Sequence, residues 1–585
     1  MNDLYSIATT CPLVKPLGGY LRTFRGCLSA ILALGLVTSF VLTAGPIVAG
    51  EKELTLSELK KERRKMATRK RRIIFNNDGD DLDGHGGPNN ERTEETAQGT
   101  ATPAGLLKLR TSALFGSQVD AIFYHSIYGM KLIYQDSAFK TIYEFPDRKP
   151  ERRKIGVKNC QALMANYGMD TLEVMIDYAR KNGLEIFYSN RVNDVHDYYF
   201  PKFLSALKVR HPEYTIGHAE SKDPRTPTET LRLMRKGRQS YTGLNFGLEV
   251  VRDLTVEAMR EVCRTYDIDG IDLDFFRSPR LFASSQIKYG TNKMVNVMEQ
   301  LEKGFAGSPP PAGPQDIEHL NDMMRKIRVM TQEEGLRRGK PILVAARGII
   351  DPEYSLAYGM DFRTWLEEDL IDIVMPIHHG IPRGKHLGSL QAFIQLAHQY
   401  GVPAYPCLRF HSAYQQTRLD CRGEAMSRFA EGADGITTFN KFDPQHSMWH
   451  ELGDPNKLQT LDKTYTCPHS LPVTVTNNGC DALQLLVGDD VLSTPTTKKP
   501  KEVTLRIDVS GITSAHRLQV KFNGFRLENA NPLPHLSTQP QEVCFKFSIA
   551  AELLQVPKNT VTAWVEQPGK MVTIDDLHLD VLFAD

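Results

Sequence analysis

Residues 270–275 read Gly270-Ile271-Asp272-Leu273-Asp274-Phe275, and this apolar run with two acids decides the fold. Side chains alternate between the two faces of a β-strand, so Asp272 and Asp274 share one face while the apolar side chains share the other. A buried charge without a partner is very costly, so a strand with two of them must offer them water, cations or substrate. The carboxyl-terminal mouth of a (β/α)8 barrel provides such a setting.

Seven other apolar runs that end in polar groups occur along the chain. Together the eight runs lie at residues 72–78, 119–125, 185–191, 270–275, 342–347, 372–376, 402–408 and 435–440. Helical patterns lie between them, as at 255–266, 317–338, 390–400 and 422–431. This alternation predicts an α/β fold, a (β/α)8 TIM-like barrel over residues 70–465. A ninth strand candidate at 243–249 is assigned to a loop, although a doubly wound sheet would also accommodate it.

The composition bounds the class of protein. The chain has 585 residues, of which 41% are hydrophobic and 24% charged, which is enough for two folded domains plus tails. The formal net charge of +1 gives no electrostatic pull toward nucleic acid. No phosphate-binding loop, nucleotide fingerprint or Ser-His-Asp order stands out. We therefore expect no nucleic-acid partner and no cofactor.

The N-terminus has the features of an export segment. Three basic residues, Lys15, Arg22 and Arg25, precede an apolar run at 27–48 that ends in small residues suited to signal peptidase. We predict that residues 1–50 are a signal peptide or an uncleaved N-terminal anchor, and only the anchor would make a membrane a partner. Either interpretation predicts an exported protein, whether secreted, periplasmic or at the cell surface. Residues 51–69 follow as a predicted basic linker.

Several ordered motifs resemble those of the family-10-like glycosyl hydrolase barrels. They are the acidic strand, the segment 244–258 before it, and the stretches 72–79, 343–347, 365–372 and 435–440. The resemblance covers roughly residues 70–465 and implies a barrel that acts on carbohydrate. In family 18 chitinases a similar motif continues to a glutamate that serves as the general acid, and that position here is Phe276. The chitinase mechanism is therefore not carried over.

The chain changes character beyond Tyr465. Short β-branched runs there alternate with turns, and about seven of them predict a small C-terminal β-sandwich at 466–585. Behind a glycosidase-like barrel, such a domain either binds carbohydrate or packs against the barrel, and the sequence leaves both open.

Polar groups at the strand ends make up the candidate site, because a barrel keeps its working residues there. The candidates for substrate binding are Asn77, Asp78, Tyr124, His125, Asn190, Arg191, Arg277, Arg347, His378, His379, Arg409 and Asn440. Planar hydrogen-bonding groups and aromatic faces suit the hydroxyls and rings of sugars. Each group also has a structural interpretation, and Arg347, for example, could be the counter-ion of Asp272 or Asp274.

The candidate catalytic residues are Asp272, Asp274 and Glu249. Glycoside hydrolysis usually uses two carboxyl groups. Our working hypothesis makes Asp274 the nucleophile or base and Glu249 the proton donor, with Asp272 orienting Asp274 or tuning its pKa. The predicted function is that of an exported glycoside hydrolase acting on a poly- or oligosaccharide.

Two alternatives remain at this stage. In a metal-assisted hydrolase, Asp272, Asp274, His378 and His379 would bind a divalent ion. No compact ligand motif supports that reading, so we predict no dedicated metal site. In the other alternative, the protein binds carbohydrate through a degenerate glycosidase barrel without turnover.

Overall fold

The computed structural model describes residues 54–87, 90–126, 128–144, 151–219, 226–283, 312–377, 390–408, 417–439, 441–467, 471–491, 499–528 and 537–583, with the backbone alone at 151–154. These residues belong to one compact unit, Glu53–Asp585. Four predicted site residues, His378, His379, Arg409 and Asn440, lie outside the described residues, as does the predicted signal peptide or anchor at 1–50.

A parallel sheet of seven strands forms the centre of the unit. The strands are Ile73–Asn77 (β1), Val119–Tyr124 (β2), Glu185–Arg191 (β3), Gly270–Asp274 (β4), Leu343–Ile349 (β5), Ile373–Ile377 (β6) and Ile436–Thr438 (β7). Their order is β6-β5-β4-β3-β2-β1-β7, and every neighbouring pair is parallel. The sheet is therefore a nearly closed barrel whose strands lie where seven of the eight apolar runs predict them.

An irregular segment takes the place of the eighth predicted strand at 402–408. The backbone N–H of Tyr405 donates to a carbonyl of β6 at 2.8 Å, and that of Leu408 donates to a carbonyl of β7 at 3.0 Å. These contacts form one isolated bridge to each edge strand. Pro403 and Pro406 lack a backbone N–H and so prevent a continuous ladder. The regular strand count is seven rather than the predicted eight.

Apolar side chains from one face of the strands fill the barrel interior. They form a buried cluster with Ile74, Ala121, Phe123, Phe187, Leu343, Ala345, Ile373, Met375 and Tyr405. Gly270 begins β4 beside this cluster, where a Cβ would lie 2.3 Å from the Phe187 ring. Side chains of a strand return to the same face every second residue, so this face of β4 continues to Asp272 and Asp274. Both acids thus stand above a packed core, at the carboxyl ends of the strands.

Helices connect the strands of the barrel. The α-helices of the unit are Leu56–Ala67, Glu94–Gly99, Pro103–Arg110, Ala138–Tyr143, Glu151–Tyr167, Thr171–Asn182, His196–Tyr199, Ala206–Arg210, Ile216–Ala219, Pro227–Met234, Glu249–Thr265, Pro314–Arg338, Pro352–Ala357, Phe362–Glu367, Leu390–Gln399, Arg418–Ala430 and Pro455–Leu458. Among the helices in the described ranges, none is long and apolar enough to cross a membrane.

The basic linker segment 51–69, whose charged run predicts a solvated helix, carries a helix that packs on the barrel. The helix Leu56–Ala67 buries Leu59, Arg63 and Ala67, which recur every four residues along one face. Ala67 joins the apolar cluster of the barrel interior. The many charges of this segment suggest a solvated chain, but the periodic face made by these three residues fixes the helix to the protein.

One buried carboxylate, Asp372, holds this helix in place. Arg63 Nη1 lies 2.7 Å from one oxygen of Asp372, and Arg328 Nη2 lies 2.9 Å from the other. The backbone N–H of Val344 in β5 donates to the second oxygen at 2.8 Å. The three charged side chains are almost fully buried. Asp372 therefore joins the N-terminal helix, the helix Pro314–Arg338 and the start of two barrel strands.

Two antiparallel sheets follow the barrel. One contains Lys463–Thr466, Val473–Val475, Glu502–Ile512, Gln541–Ser548 and Val572–Leu582, and the other contains Leu483–Leu486, Leu518–Phe522, Phe525–Arg526 and Lys558–Val565. Burial alternates along the longer strands, so each sheet has one buried face. Because Lys463–Thr466 pairs with Val572–Leu582, the first sheet begins before the predicted boundary at residue 466.

The helix Arg418–Ala430 of the barrel packs directly on these sheets. Ser427 Oγ donates to the carbonyl of Leu486 at 2.7 Å. At Gly423 a Cβ would lie 2.1 Å from the carbonyl oxygen of Thr464, so only glycine permits this approach. Beside the contact, the fully buried Lys463 ammonium lies 3.2 Å from an oxygen of Asp489. We name this contact region the barrel–sheet joint.

Replacing Asp372 with asparagine should destabilise the protein strongly. Asp372→Asn leaves the buried guanidinium group of Arg328 without a carboxylate and leaves Arg63 with only the more exposed Asp369. Breaking a buried ion pair in this way costs about 3–5 kcal/mol. Urea unfolding measures the free energy of unfolding. As a control, Glu367→Gln removes an exposed acid and should stay within about 0.5 kcal/mol of the wild type. An Asp372→Asn variant that unfolds at the wild-type urea concentration would contradict this role.

Candidate active site

Asp272 is anchored inside the barrel by its neighbours in the sheet. It lies opposite Ser189 of β3, and the Ser189 hydroxyl donates to Asp272 Oδ2 at 2.6 Å. Arg347 of β5 donates to both carboxylate oxygens, from Nε at 3.2 Å and from Nη2. Asp272 and Arg347 are both essentially unexposed. Arg347 is thus the counter-ion of Asp272, the structural interpretation left open by the sequence.

Burial and charge shift the titration of Asp272. Burial raises the pKa of Asp272 to about 6, against the opposing influence of the Arg347 guanidinium. The neighbouring charge of Asp274 raises this pKa further, while the hydrogen bond from Ser189 lowers it. A carboxyl group whose pKa depends on a neighbouring carboxylate titrates as part of a coupled pair.

Asp274 lies two residues further along β4, toward the mouth. It is 2% exposed, and its Oδ1 accepts a hydrogen bond from the backbone N–H of Arg277 at 3.0 Å. In register, Asp274 sits between Arg191 of β3 and Arg347 of β5. Its charge raises the pKa of both guanidinium groups. No ion pair within 4.0 Å joins Asp274 to another described residue, which distinguishes it from Asp272.

Asp78 and Asn77 end β1 and are held by Arg110, a residue that the sequence did not single out. Arg110 Nη1 donates to Asp78 at 2.5 Å and to Asn77 Oδ1 at 2.9 Å. Although burial opposes ionisation, Arg110 and Arg191 hold the pKa of Asp78 below its usual range. Asn77 also donates to Asp81 at 2.6 Å. Asn77 therefore braces the loop after β1 through bonds to its own neighbours.

A hydrogen-bonded chain links the ends of β3 and β4. His196 Nδ1 lies 2.6 Å from Asp194, and His196 Nε2 lies 2.9 Å from Nη2 of Arg277. A guanidinium only donates, so Nε2 accepts and Nδ1 donates to the carboxylate. Burial would raise the pKa of Asp194, but His196 and Arg191 hold it well below its usual range. Asp194 and Asp78 therefore stay charged at neutral pH.

Three other predicted residues occupy the strand ends without sharing one face. His125 Nδ1 lies 2.8 Å from the carbonyl of Ser189, and burial lowers the pKa of His125 to about 3, so the ring is neutral. Tyr124 donates to Asp81 at 3.2 Å. Asn190 accepts from the Tyr143 hydroxyl at 2.5 Å. Because faces alternate along a strand, Tyr124 and Asn190 point away from the interior face that carries His125 and Arg191.

Glu249 is not brought to the two aspartates. It begins the helix Glu249–Thr265, its side chain is 72% exposed, and an oxygen lies 3.7 Å from the ammonium of Lys326. Among the described residues, no hydrogen bond or ion pair connects it to Asp272 or Asp274. This position on the outer surface does not fit the proton-donor role expected from the sequence.

A small cavity of about 50 Å³ adjoins the chain of side chains at the end of β3. Its wall includes Tyr143, Arg191, Asp194 and His196. A single water needs about 10–15 Å³ of such space, so the cavity has room for a few waters. Within the described part of the chain, no group of three or more His, Cys, Asp or Glu side chains is arranged to hold a metal ion.

Two comparisons give no match. No protein-family model matches this chain, and no curated protein matches it.

Comparison with solved structures finds glycoside hydrolases at low similarity. The PgaB (BpsB) glycoside hydrolase domain from Bordetella bronchiseptica aligns with a TM-score of 0.34 and 13% identity over 66% of this chain and 98% of its own. The GH36 α-galactosidase AgaA from Geobacillus stearothermophilus aligns with a TM-score of 0.32 and 12% identity over 84% of this chain and 59% of its own. α-L-Fucosidase isoenzyme 2 from Paenibacillus thiaminolyticus aligns with a TM-score of 0.32 and 14% identity over 67% of this chain and 49% of its own.

The raised pKa of Asp272 predicts a specific pH dependence of stability. Folding moves this pKa up from an ordinary value near 3.9 to about 6, so the folded state binds the proton more strongly than the unfolded state. The resulting stabilisation is present below about pH 4 and is lost as the pH rises to about 6. Relative to Asp272→Asn, the wild type should therefore lose about 3 kcal/mol of unfolding free energy over that interval and none above it.

Urea unfolding of the wild type and Asp272→Asn at each pH tests this expectation. The variant also leaves Arg347 without its counter-ion, but that penalty is nearly constant with pH and cancels from the slope. Glu367→Gln serves as the control, since loss of an exposed acid should give a difference independent of pH. A constant difference between the wild type and Asp272→Asn from pH 4 to 7 would show that the folded and unfolded pKa values are equal.

Proposed function

We propose that the protein is a glycoside hydrolase in which Asp274 is the reacting carboxylate. One observation carries the proposal. Asp274 is a nearly buried strand-end acid without an ion-pair partner among the described residues, whereas Asp78, Asp194 and Asp272 are each paired with a cation at the same end of the barrel. A carboxylate with no ion-pair partner in the described part of the barrel is available to a reacting sugar.

Asp272 acts on the reaction through Asp274. Arg347 and Ser189 fix its carboxylate, and it lies two residues deeper along the strand than Asp274. Because the charge of Asp274 raises the pKa of Asp272, loss of that charge during the reaction makes ionisation of Asp272 easier. We assign Asp274 as nucleophile or base and Asp272 as the positioning residue that tunes it.

The remaining carboxylates suit binding rather than proton donation. Proton donors in such reactions have raised pKa values, but Asp78 and Asp194 have lowered ones. Their oxygens suit sugar hydroxyls as hydrogen-bond acceptors. Together with Arg191 and His125 they form the described part of the proposed substrate site. His378, His379, Arg409 and Asn440 are proposed members on sequence position alone.

The proposal extends to the rest of the chain. We infer an eight-stranded barrel of the family-10-like group, supported by the bridges of residues 403–408 to both edge strands and by the sequence motifs. The two C-terminal sheets are inferred to form a β-sandwich, supported by their alternating burial. The barrel–sheet joint supports packing against the barrel as one role of that domain. Export is inferred from the apolar run at 27–48.

A second candidate is a carbohydrate-binding protein without turnover. The observation that favours it is the set of ion pairs just described, since a carboxylate that is already neutralised is a poor acid or base. Metal-assisted hydrolysis by Asp272, Asp274, His378 and His379 remains the third reading. The three readings differ in product release and in sensitivity to a chelator.

Turnover should depend on Asp274 in the full chain. We expect reducing sugar to be released from at least one member of a polysaccharide panel by the wild type. Asp274→Asn should lower kcat on the order of 10²- to 10⁴-fold, since it removes the acid or base. Glu367→Gln is the matched control on the surface, and both variants should show the wild-type unfolding midpoint within a few degrees. Full activity of Asp274→Asn would exclude the assignment.

Two further arms separate the alternatives. Loss of turnover with EDTA, restored by a divalent ion, would replace the carboxylate mechanism with the metal-assisted one. Saturable binding of a polysaccharide with no product would establish the binding protein. Glu249→Gln should keep turnover, because the Glu249 carboxylate is exposed and makes no described contact with Asp274. A large loss of turnover in this variant would restore Glu249 as a candidate proton donor.

A further inference from the structure

Four arginines surround the strand-end acids, and three of them are matched by carboxylates. Arg110 pairs with Asp78 and Arg347 pairs with Asp272. Arg191 lies 3.5 Å from Asp194 and 3.9 Å from Asp78. In each case the carboxylates outweigh burial and raise the pKa of the guanidinium. These three cations are neutralised by the protein itself.

Arg277 is the exception. Its guanidinium is partly buried, and its one hydrogen bond to a described side chain is to the neutral nitrogen Nε2 of His196. No carboxylate of the described residues lies within 4.0 Å of it. Burial and the nearby charge of Arg191 lower the pKa of Arg277 despite the attraction of Asp194 and Asp274. The protein therefore holds a cation here at a net electrostatic cost.

An unsatisfied donor of Arg347 lies near the same aromatic ring as Arg277. Arg347 Nη1 is buried and has no hydrogen-bond partner in the described part of the chain. The guanidinium carbons of Arg277 and Arg347 each lie 5.9 Å from the centre of the Phe439 ring. Both guanidinium groups therefore lie around the same ring, and both belong to residues that neighbour Asp274 through a hydrogen bond or the strand register. A buried donor without an acceptor costs about 1–3 kcal/mol, and more when it is charged.

We propose that Arg277 and Arg347 receive an anionic group of the sugar, so that the substrate is an acidic polysaccharide bearing carboxylate or sulfate. Guanidinium groups bind both anions through paired N–H donors. The inference rests on the proposed function, since it names the substrate class of the same site. His196 and Asp194 act as positioning residues, because Asp194 orients the His196 ring and His196 Nε2 accepts a hydrogen bond from the Arg277 guanidinium.

Neutral sugars would satisfy the hydrogen bonds without supplying the missing charge. A hydroxyl or acetamido oxygen can accept a hydrogen bond from Arg347 Nη1 with the same geometry as a carboxylate oxygen. It brings no negative charge to Arg277, however, which has no carboxylate of the described residues within 4.0 Å. The charge therefore distinguishes the two classes of substrate, and a ligand pair that differs in charge alone measures it.

The test compares oligogalacturonate with its methyl ester, and a sulfated galactan oligosaccharide with its desulfated form. Binding is measured by calorimetry on full-length Asp274→Asn, which prevents turnover. We expect at least one acidic probe to bind about tenfold or more tightly than its neutral counterpart. Adding Arg277→Gln should abolish that preference, and Arg277→Lys should keep part of it. Arg363→Gln, at an exposed arginine, should leave it unchanged.

Each outcome has one meaning. Equal binding of the charged and neutral probes, or no binding of any acidic probe, overturns the inference. So does a preference that survives Arg277→Gln. Preference for the carboxylate probe or for the sulfate probe identifies the anion. A drop in the unfolding midpoint shared by Arg277→Gln and Arg277→Lys would mark a folding defect, and the affinities of Arg277→Lys then decide, because that variant keeps the charge.

Hydrolysis by the wild type separates this inference from the function on which it rests. Release of product from neutral polysaccharides, without preference for acidic ones, would refute the substrate class and leave the glycoside hydrolase intact. Charge-dependent binding through Arg277 without release of product would refute turnover and leave the anion site intact. Uronate and sulfate are both charged above pH 5, so a change of binding with pH above that value reports protein groups such as Asp272, which pairs with Arg347 and whose pKa burial raises to about 6.

Discussion

The buried ion pair between Asp272 and Arg347 is the interaction on which the rest of the mouth depends. It crosses from β4 to β5 at the top of the packed interior and also involves Ser189 of β3. Desolvating two charges is expensive, and the geometry must be good to offset that cost. Here the Asp272 carboxylate accepts three hydrogen bonds, one from Ser189 and two from Arg347. The pair thereby fixes three neighbouring strands and leaves Asp274 as the next charge toward solvent.

Apolar runs in the sequence predicted most of the barrel strands, because the burial of a strand depends on its own residues. Seven apolar runs became strands, since a buried parallel strand needs a continuous apolar run. The eighth run is apolar enough for a buried strand but contains prolines. A pattern of apolar residues does not show that the backbone N–H groups needed for strand pairing are missing. Charge misled at residues 51–69, where one buried face with Arg63 outweighs many exposed charges. The partner of Arg63, Asp372, lies over 300 residues away.

The site was predicted in part for the same reason. Period-2 alternation placed Asp272 and Asp274 together, and the same rule would have separated Tyr124 and Asn190 from His125 and Arg191. Arg110 and His196 were missed because their importance lies in contacts with Asp78 and Arg277, far apart in sequence. Glu249 was a candidate by its position before the acidic strand, but a helix start does not reveal which way its side chain points.

The barrel–sheet joint has a consequence for how the molecule loses its structure. Separating the two parts would expose the Lys463 ammonium, the Asp489 carboxylate and the carbonyl that Ser427 contacts, all at once. It would also expose apolar side chains on both parts, since Ala425 and Met426 of the helix and Leu483 and Leu485 of the sheet belong to one buried cluster. The barrel and the C-terminal sheets are therefore coupled into one cooperative unit, and a proteolytic cut between them would release two unstable fragments rather than two domains.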